Sequence, residues 1–284
     1  MPNGKVVFSI QTNGTLFNKK NLEILKKNEV RIGISIDGSK EKHDKYRVYH
    51  NGNGSYDDIL KGLNLVRNIA PDLLDSTLQV IDPKVSPASV LKNLEVLGIE
   101  RTDLLFPDLN HDTIKNANII PGEIGNWLIH VFKIWINQEN AVHIRIFLTI
   151  INLLLGGKNG TDQLGAESIG TIMIETDGSY QVYDGLKTSF SGAGVTQMNV
   201  QDSTIESTDS LPLTKAFRNK ATYASAICLN CELFRVCGGG NPIHRYSENK
   251  KFDQPSVYCE DLKLIINHIK SYILSVRPNL ELVC

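Results

Sequence analysis

Four of the five cysteines of this 284-residue chain fall between positions 228 and 259: Cys228-Leu-Asn-Cys231, then Cys237 after five further residues, then a lone Cys259. Cys284 is the last residue. A C-x2-C pair sets two thiolates on one tight turn, aimed at a common centre. Gly238, Gly239 and Gly240 directly follow the third thiol, and a backbone without side chains can fold closely around such a centre. Clustering this tight has the spacing of a metal or iron–sulfur site. It fits less well with four thiols packed as small hydrophobes, or with a disulfide pair. Zinc and iron–sulfur clusters both accept soft thiolates, and His244 offers a zinc ligand in place of Cys259, so spacing leaves the metal open.

The preceding chain must supply a scaffold. Residues 6–10 form an apolar run that ends at Gln11-Thr12-Asn13-Gly14, a buried strand closed by a turn. A helix is predicted over 18–28, and a second strand over 31–36, ending in Asp37-Gly38. Ser55 opens the next helix, with Asp58 at the capping-box position and Ile59, Leu63 and Val66 on one face. Strands at 78–81 and 104–106 flank a helix begun by Ser86-Pro87 and stopped by Gly98. Strand alternating with helix predicts an α/β fold with a parallel sheet, whose ligands sit at the carboxyl ends of the strands. Gln11, Asn13, Ser35 and Asp37 put polar groups at two such ends in succession.

Two helices are predicted over 123–138 and 143–155, with Trp127 and Trp135 in the core. Residues 170–175 and 179–183 then alternate across Asp177-Gly178, a strong hairpin signal. Composition shifts at this point to a polar stretch rich in Ser and Thr, which sets a domain boundary near residue 165. A closing helix over 257–274 carries Cys259 in its first turn.

Composition narrows the partners. With 30 Lys and Arg against 31 Asp and Glu, the net charge of −1 gives no electrostatic reason to expect nucleic acid or an anionic membrane surface. The longest apolar run, 144–155, is broken by Arg145, Thr149 and Asn152 and is too short to span a bilayer. The first residues have no signal-peptide pattern, and thiols in cluster spacing point to a reducing cytoplasm.

The order Gln11-Thr12-Asn13-Gly14, Ser35-Ile36-Asp37-Gly38, His43-Asp44-x-x-Arg47 and Gly54-Ser55-Tyr56 resembles the middle of radical S-adenosylmethionine (SAM) enzymes that carry a C-terminal SPASM-type auxiliary-cluster domain. The second half is similar to one branch of these, the cyclophane-forming peptide maturases. Three stretches carry that likeness: Arg145-Ile146-Phe147 through Leu155-Gly156-Gly157; Glu175-Thr176-Asp177-Gly178-Ser179; and Cys237-Gly238-Gly239-Gly240 with His244-Arg245-Tyr246-Ser247 and Pro255-Ser256-Val257-Tyr258-Cys259. The resemblance implies a partial (β/α)6 barrel over residues 1–165 and a SPASM-like iron–sulfur domain over 166–284. It also implies action on a ribosomally made precursor peptide. There a 5′-deoxyadenosyl radical would take hydrogen from a side-chain Cβ, and closure onto an aromatic ring would follow.

Carried across residue by residue, Gln11, Ser35 and Arg47 match SAM-contacting positions, with Arg47 offering a planar fork to the methionine carboxylate. Cys228, Cys231, Cys237 and Cys259 match auxiliary-cluster ligands. Glu175, Asp177, His244 and Arg245 are the candidates for proton handling or peptide positioning. Against that, Asp177 also serves its turn, and His244-Arg245 equally suits bracing of the cluster loop.

Two departures follow. A full SPASM domain has cysteines for two clusters, whereas Asn241 stands where another would follow Cys237, so one [4Fe–4S] cluster is expected. The C-x3-C-x2-C loop whose cluster cleaves SAM is also missing, since no cysteine precedes Cys228. Met1 starts where mid-barrel would be, and the expectation is a truncated maturase, or half of a split enzyme completed by a second polypeptide, inactive by itself. The rivals are a non-catalytic peptide-binding scaffold and a zinc-stabilised binding module.

Overall fold

The computed structural model describes residues 6–139, 141–159, 162–167 and 170–283. The chain folds into two compact units: residues 1–107 with 130–146, and residues 108–129 with 147–284.

The first unit is a five-stranded, wholly parallel sheet whose spatial order follows the chain: β1 (Ser9–Thr12), β2 (Arg31–Ser35), β3 (Leu74–Val80), β4 (Arg101–Leu105) and β5 (His143–Ile144). Parallel neighbours need crossover connections, and these are α1 (Lys19–Lys27), α2 (Lys40–Tyr46), α3 (Tyr56–Ile69) and α4 (Pro87–Val96). Burial on both faces explains the β-branched centre of β2, where Ile32 and Ile34 are fully enclosed. Leu22 of α1, Ile59, Leu63 and Val66 of α3, and Val90, Leu91 and Leu94 of α4 are buried as their helical spacing predicts.

Local chemistry explains most element ends. Asn18 caps α1 in a reciprocal capping box with Asn21. Pro87 occupies the first turn of α4, and Gly98 just beyond its end has φ +56°. Ser55 precedes α3 but makes no side-chain cap; its hydroxyl donates instead to the Arg47 carbonyl, so the capping-box expectation for Ser55 and Asp58 is corrected. The first strand lies at Ser9–Thr12, later than the apolar run, and Val6, Val7 and Phe8 are exposed. The polar Lys40–Tyr46 segment is a helix that no apolar periodicity announces.

Helices α5 (Glu123–Trp135) and α6 (Arg145–Leu154) contribute residues to both units. The second unit holds a three-stranded antiparallel sheet of β6 (Met173–Ile174), β7 (Ser179–Gln181) and β8 (Val195–Asn199). The predicted Asp177-Gly178 hairpin is there, with Gly178 at φ +83°. Beyond it, Val182, Leu186, Ala193, Phe217 and Ile243 form a core against which Tyr183, Leu213 and Phe252 pack. Short helices α7 (Pro212–Arg218), α8 (Lys220–Tyr223), α9 (Ala226–Leu229) and α10 (Phe234–Cys237) lead to the long α11 (Cys259–Val276). Among the described residues, no helix is long and apolar enough to cross a membrane.

Candidate functional site

In the first unit the polar side chains at the ends of β1 and β2 form a rim of two hydrogen-bonded sets. Gln11 Nε2 donates to Ser35 Oγ at 3.0 Å across β1 and β2. Gln11 lies opposite Gly33, where an added Cβ would come within 2.1 Å of its carboxamide oxygen, so the strand is cleared for the glutamine. Arg47 Nε donates to Asp37 Oδ2, and the other oxygen of that buried carboxylate accepts the backbone N–H of Val80 at 2.8 Å. Asp37 therefore ties the end of β2 to the end of β3 and aims Arg47. With Nε committed to Asp37, Arg47 presents its Nη edge, not its whole fork, to an incoming carboxylate.

His43 completes the rim although sequence reasoning gave it no role. The Asp37 N–H donates to His43 Nδ1 at 3.1 Å, so Nε2 carries the proton and donates to Ser55 Oγ at 3.1 Å. Ser55 Oγ in turn donates to the Arg47 carbonyl at 3.0 Å. Burial, in a fully enclosed site, moves the His43 pKa below its ordinary value and keeps the ring neutral. Asp44 accepts the N–H of Tyr56 at 2.9 Å and lies where a side chain on Gly54 would fall. The His43-Asp44 and Gly54-Ser55-Tyr56 motifs are thus the brace behind Arg47.

In the second unit, Cys228, Cys231, Cys237 and Cys259 all line one cavity of ≈ 40 Å³, otherwise walled mainly by Ile227, Leu233, Phe234, Leu262 and Ile266. Ser225 caps α9 through its hydroxyl, which accepts the Cys228 N–H at 3.4 Å. The Cys231 N–H returns to the Cys228 carbonyl at 3.0 Å, which is the tight C-x2-C turn. After Cys237 the chain reverses through Gly238, Gly239 and Gly240 at φ +62°, +79° and +71°, a left-handed run that side chains strongly disfavour. A Cβ on Gly238 would lie 1.9 Å from the Gly165 carbonyl oxygen. Cys259 opens α11, whose amino end carries the positive pole of the helix dipole.

Burial pushes the Cys237 thiol up to about 12, despite a hydrogen bond from the Gly239 N–H and with Cys259 and Cys228 adding to the rise. Burial also raises Cys259. Four thiols lining one mainly apolar cavity suit a soft metal group that binds them as thiolates. A tetrahedral zinc with Zn–S bonds near 2.3 Å needs its sulfurs gathered to about 4 Å of one another. Among the described residues, no three His, Cys, Asp or Glu are so arranged to hold a metal ion. The cavity exceeds the roughly 10–15 Å³ that one water needs, and His244 is not among its lining residues. Four soft thiolates fit an iron–sulfide core, and zinc accepts the same donor set.

The remaining candidates scatter. Glu175 pairs with Lys187 at 2.6 Å. Asp177 accepts the Ser179 N–H at 2.9 Å within its turn, which lowers its pKa. His244 is buried, 3.9 Å from Asp108 and edge-on to Tyr258 at 4.8 Å between centroids. Arg245 is 3% exposed and lies against Gly239 of the cysteine loop, placed for bracing rather than for meeting solvent. Asn241, at the position of the absent cysteine, donates to Asp162 at 3.2 Å and to the Tyr183 hydroxyl at 3.0 Å, so a hydrogen-bond network occupies that place.

Residues 3–96 match the family model of the Radical SAM superfamily, a match that ends where α4 ends. A cysteine-type anaerobic sulfatase-maturating enzyme of Clostridium novyi is 24% identical over 92% of this chain and 70% of its own length. Among solved structures, native anSMEcpe with bound AdoMet superposes with a TM-score of 0.82 at 22% identity, over 98% of this chain and 76% of that one. SuiB of Streptococcus suis bound to the precursor peptide SuiA gives 0.58 at 16% identity, over 89% and 58%. The α/β fold with its parallel sheet is the fold of these radical SAM structures.

Proposed function

We propose, for a chain whose residues 3–96 match the Radical SAM superfamily, that it is the SAM-facing and auxiliary-cluster part of a peptide-modifying radical SAM enzyme. One observation carries the reading: the four cysteines singled out by spacing, including two separated by 31 positions, line a single cavity. Cys228, Cys231, Cys237 and Cys259 would hold one [4Fe–4S] cluster there. Gln11 and Ser35 hold a pair of hydrogen-bonding groups at adjacent strand ends, and Arg47 holds a positive charge in place through Asp37, a set suited to the polar and carboxylate groups of SAM.

SAM, when reductively cleaved, supplies a radical that removes hydrogen from a substrate side chain. Cleavage needs a cluster with an open iron position, and none of the five cysteines forms a C-x3-C-x2-C loop. These 284 residues by themselves would therefore bind SAM weakly and not cleave it, and the cleaving loop would have to come from residues outside them, whether of the same polypeptide or of a second one. The substrate is a ribosomally made precursor peptide, joined from a side-chain Cβ to an aromatic ring with loss of two hydrogens. The sulfatase-maturating relative favours a second reading, in which the peptide lies in a sulfatase and no ring forms. The partition into a barrel over 1–165 and an auxiliary-cluster domain over 166–284, and work in a reducing cytoplasm, belong to the same proposal.

Anaerobic reconstitution with iron and sulfide tests the cluster directly. About four iron and four sulfide per chain, with no zinc retained, is the expected result. Zinc without sulfide, or thiols that stay free, overturns the reading. Conversion of SAM to 5′-deoxyadenosine by this chain alone overturns the inactivity claim. Mass spectrometry of a precursor peptide treated with the completed enzyme separates a crosslinked product from a linear oxidised one.

A further inference from the structure

Two cations, Arg245 and Lys220, are buried in the unit that holds the four cysteines, behind the residues that line their cavity. Arg245 Nη1 lies 3.4 Å from the point where a Cβ on Gly239 would sit, and Cys228 Sγ lies 3.8 Å from the same point, so guanidinium and thiol face one glycine from two sides. Among the described residues, buried Arg245 Nε has no hydrogen-bond partner. Lys220, in the four-residue α8, is 2% exposed. Its ammonium reaches the Leu164 carbonyl at 3.5 Å, at the limit of a hydrogen bond. Asp162 acts on Lys220 electrostatically, but one of its oxygens already accepts from both Tyr183 and Asn241. Asp253 acts on Arg245 in the same way from a distance.

Buried charges are retained when something balances them. Burial depresses both cations, Lys220 to about 8; acting in the opposite direction are Asp162 and then Cys237 for Lys220, and Cys228, Asp253 and Cys237 for Arg245. Neutral thiols balance nothing. Four thiolates around an iron–sulfide core carry a net negative charge that grows by one on reduction, and a fixed cation beside such a core favours its reduced form.

We propose that Arg245 and Lys220 are buried counter-charges of the core held by Cys228, Cys231, Cys237 and Cys259, raising its reduction potential and helping to retain it. This rests on the iron–sulfur reading of those four thiols. Both residues act through the cluster and touch no substrate, and Lys220, eight positions ahead of Cys228, has no mark in the sequence that distinguishes it from any surface lysine.

The test uses the full chain, reconstituted anaerobically, with iron and sulfide counted and the midpoint read by EPR during dithionite titration. Arg245→Gln and Lys220→Met are each expected to hold a full cluster with a lower midpoint, by about tenfold in the one-electron equilibrium or about 59 mV. Arg245→Lys and Lys220→Arg, which keep the charge, are expected to stay near the parent value. Loss of iron in a neutral variant but not in its charged counterpart supports the proposal through retention. Equal loss in both assigns the residue to packing and overturns its role. Midpoints of the neutral variants equal to the parent, at full iron, overturn it as well. A parent chain that takes up no iron and sulfide strikes the cluster reading itself, and the counter-charges fall with it.

Discussion

The strand-end rim of the first unit and the cysteine region of the second solve opposite problems. The rim is closed on its own: Asp37, His43, Arg47 and Ser55 satisfy one another through hydrogen bonds that need no guest. The cysteine region is open. Short helices and a left-handed glycine turn surround a cavity lined by four thiols, and buried Arg245 lies at Gly239 with its Nε unpartnered among the described residues. A preformed rim can wait for a ligand, whereas a cavity lined by four thiols is completed by one. In the second case binding energy is also folding energy.

The largest effect that would break this contrast comes from the thiols. Cys228→Ser or Cys259→Ser is expected to reduce iron and sulfide per chain to near zero while leaving the far-UV circular dichroism of the parallel-sheet unit largely intact. A Ser variant that keeps a full cluster would show that the four thiols do not act as a set. Next in size is Gly238→Ala, which touches no thiol. The left-handed conformation and the 1.9 Å approach to the Gly165 carbonyl together predict a loss of about 2–4 kcal/mol. The check is a lower denaturant midpoint, with weaker iron retention following it.

A smaller effect is expected at Asp37→Asn, which removes the charge partner of the partly exposed Arg47. About 1–3 kcal/mol of stability should go, SAM binding by calorimetry should weaken, and the iron count should not change. An iron count that falls with Asp37→Asn would merge the two regions that the comparison separates.

The smallest effect sharpens the rim. The folded His43 pKa lies below its unfolded value because of burial, so the unfolded chain binds more protons through that interval. Its contribution to stability is fully present above the unfolded value near 6.5 and is lost as pH falls through the folded value. Melting temperature should therefore drop as pH is lowered from 7 towards 5, and His43→Gln should flatten that slope. A parent and a variant with equal slopes would remove His43 from the brace.

Much of this was legible from residue types. Alternating apolar runs predicted the parallel strands at 31–36 and 104–106, and Asp177-Gly178 predicted its hairpin. Gln11 and Ser35 were marked as polar strand ends and meet at 3.0 Å. Elements without an apolar signal were missed. Helix α2 buries Lys42 and His43 instead of leucines, and β5 is two residues at the head of a run that reads as helix. The brace was invisible for another reason: Asp37 meets Val80 across 43 positions, and only the packing of β2 beside β3 brings them together.

Order along the chain determined which atoms have the chemistry: four sulfurs whose spacing puts two on one turn and one beside three glycines, and polar side chains at consecutive strand ends. Short-range spacing can do this because turn geometry and strand period are local properties of the backbone. The tertiary structure decided everything that depends on exclusion of water. It brought Cys259 to the other three thiols, sank Lys220 and Arg245 beside them, and enclosed His43 until its ring stayed neutral. Burial is a sum over neighbours distant in sequence, and charge acquires its cost or its use only once those neighbours have displaced the solvent.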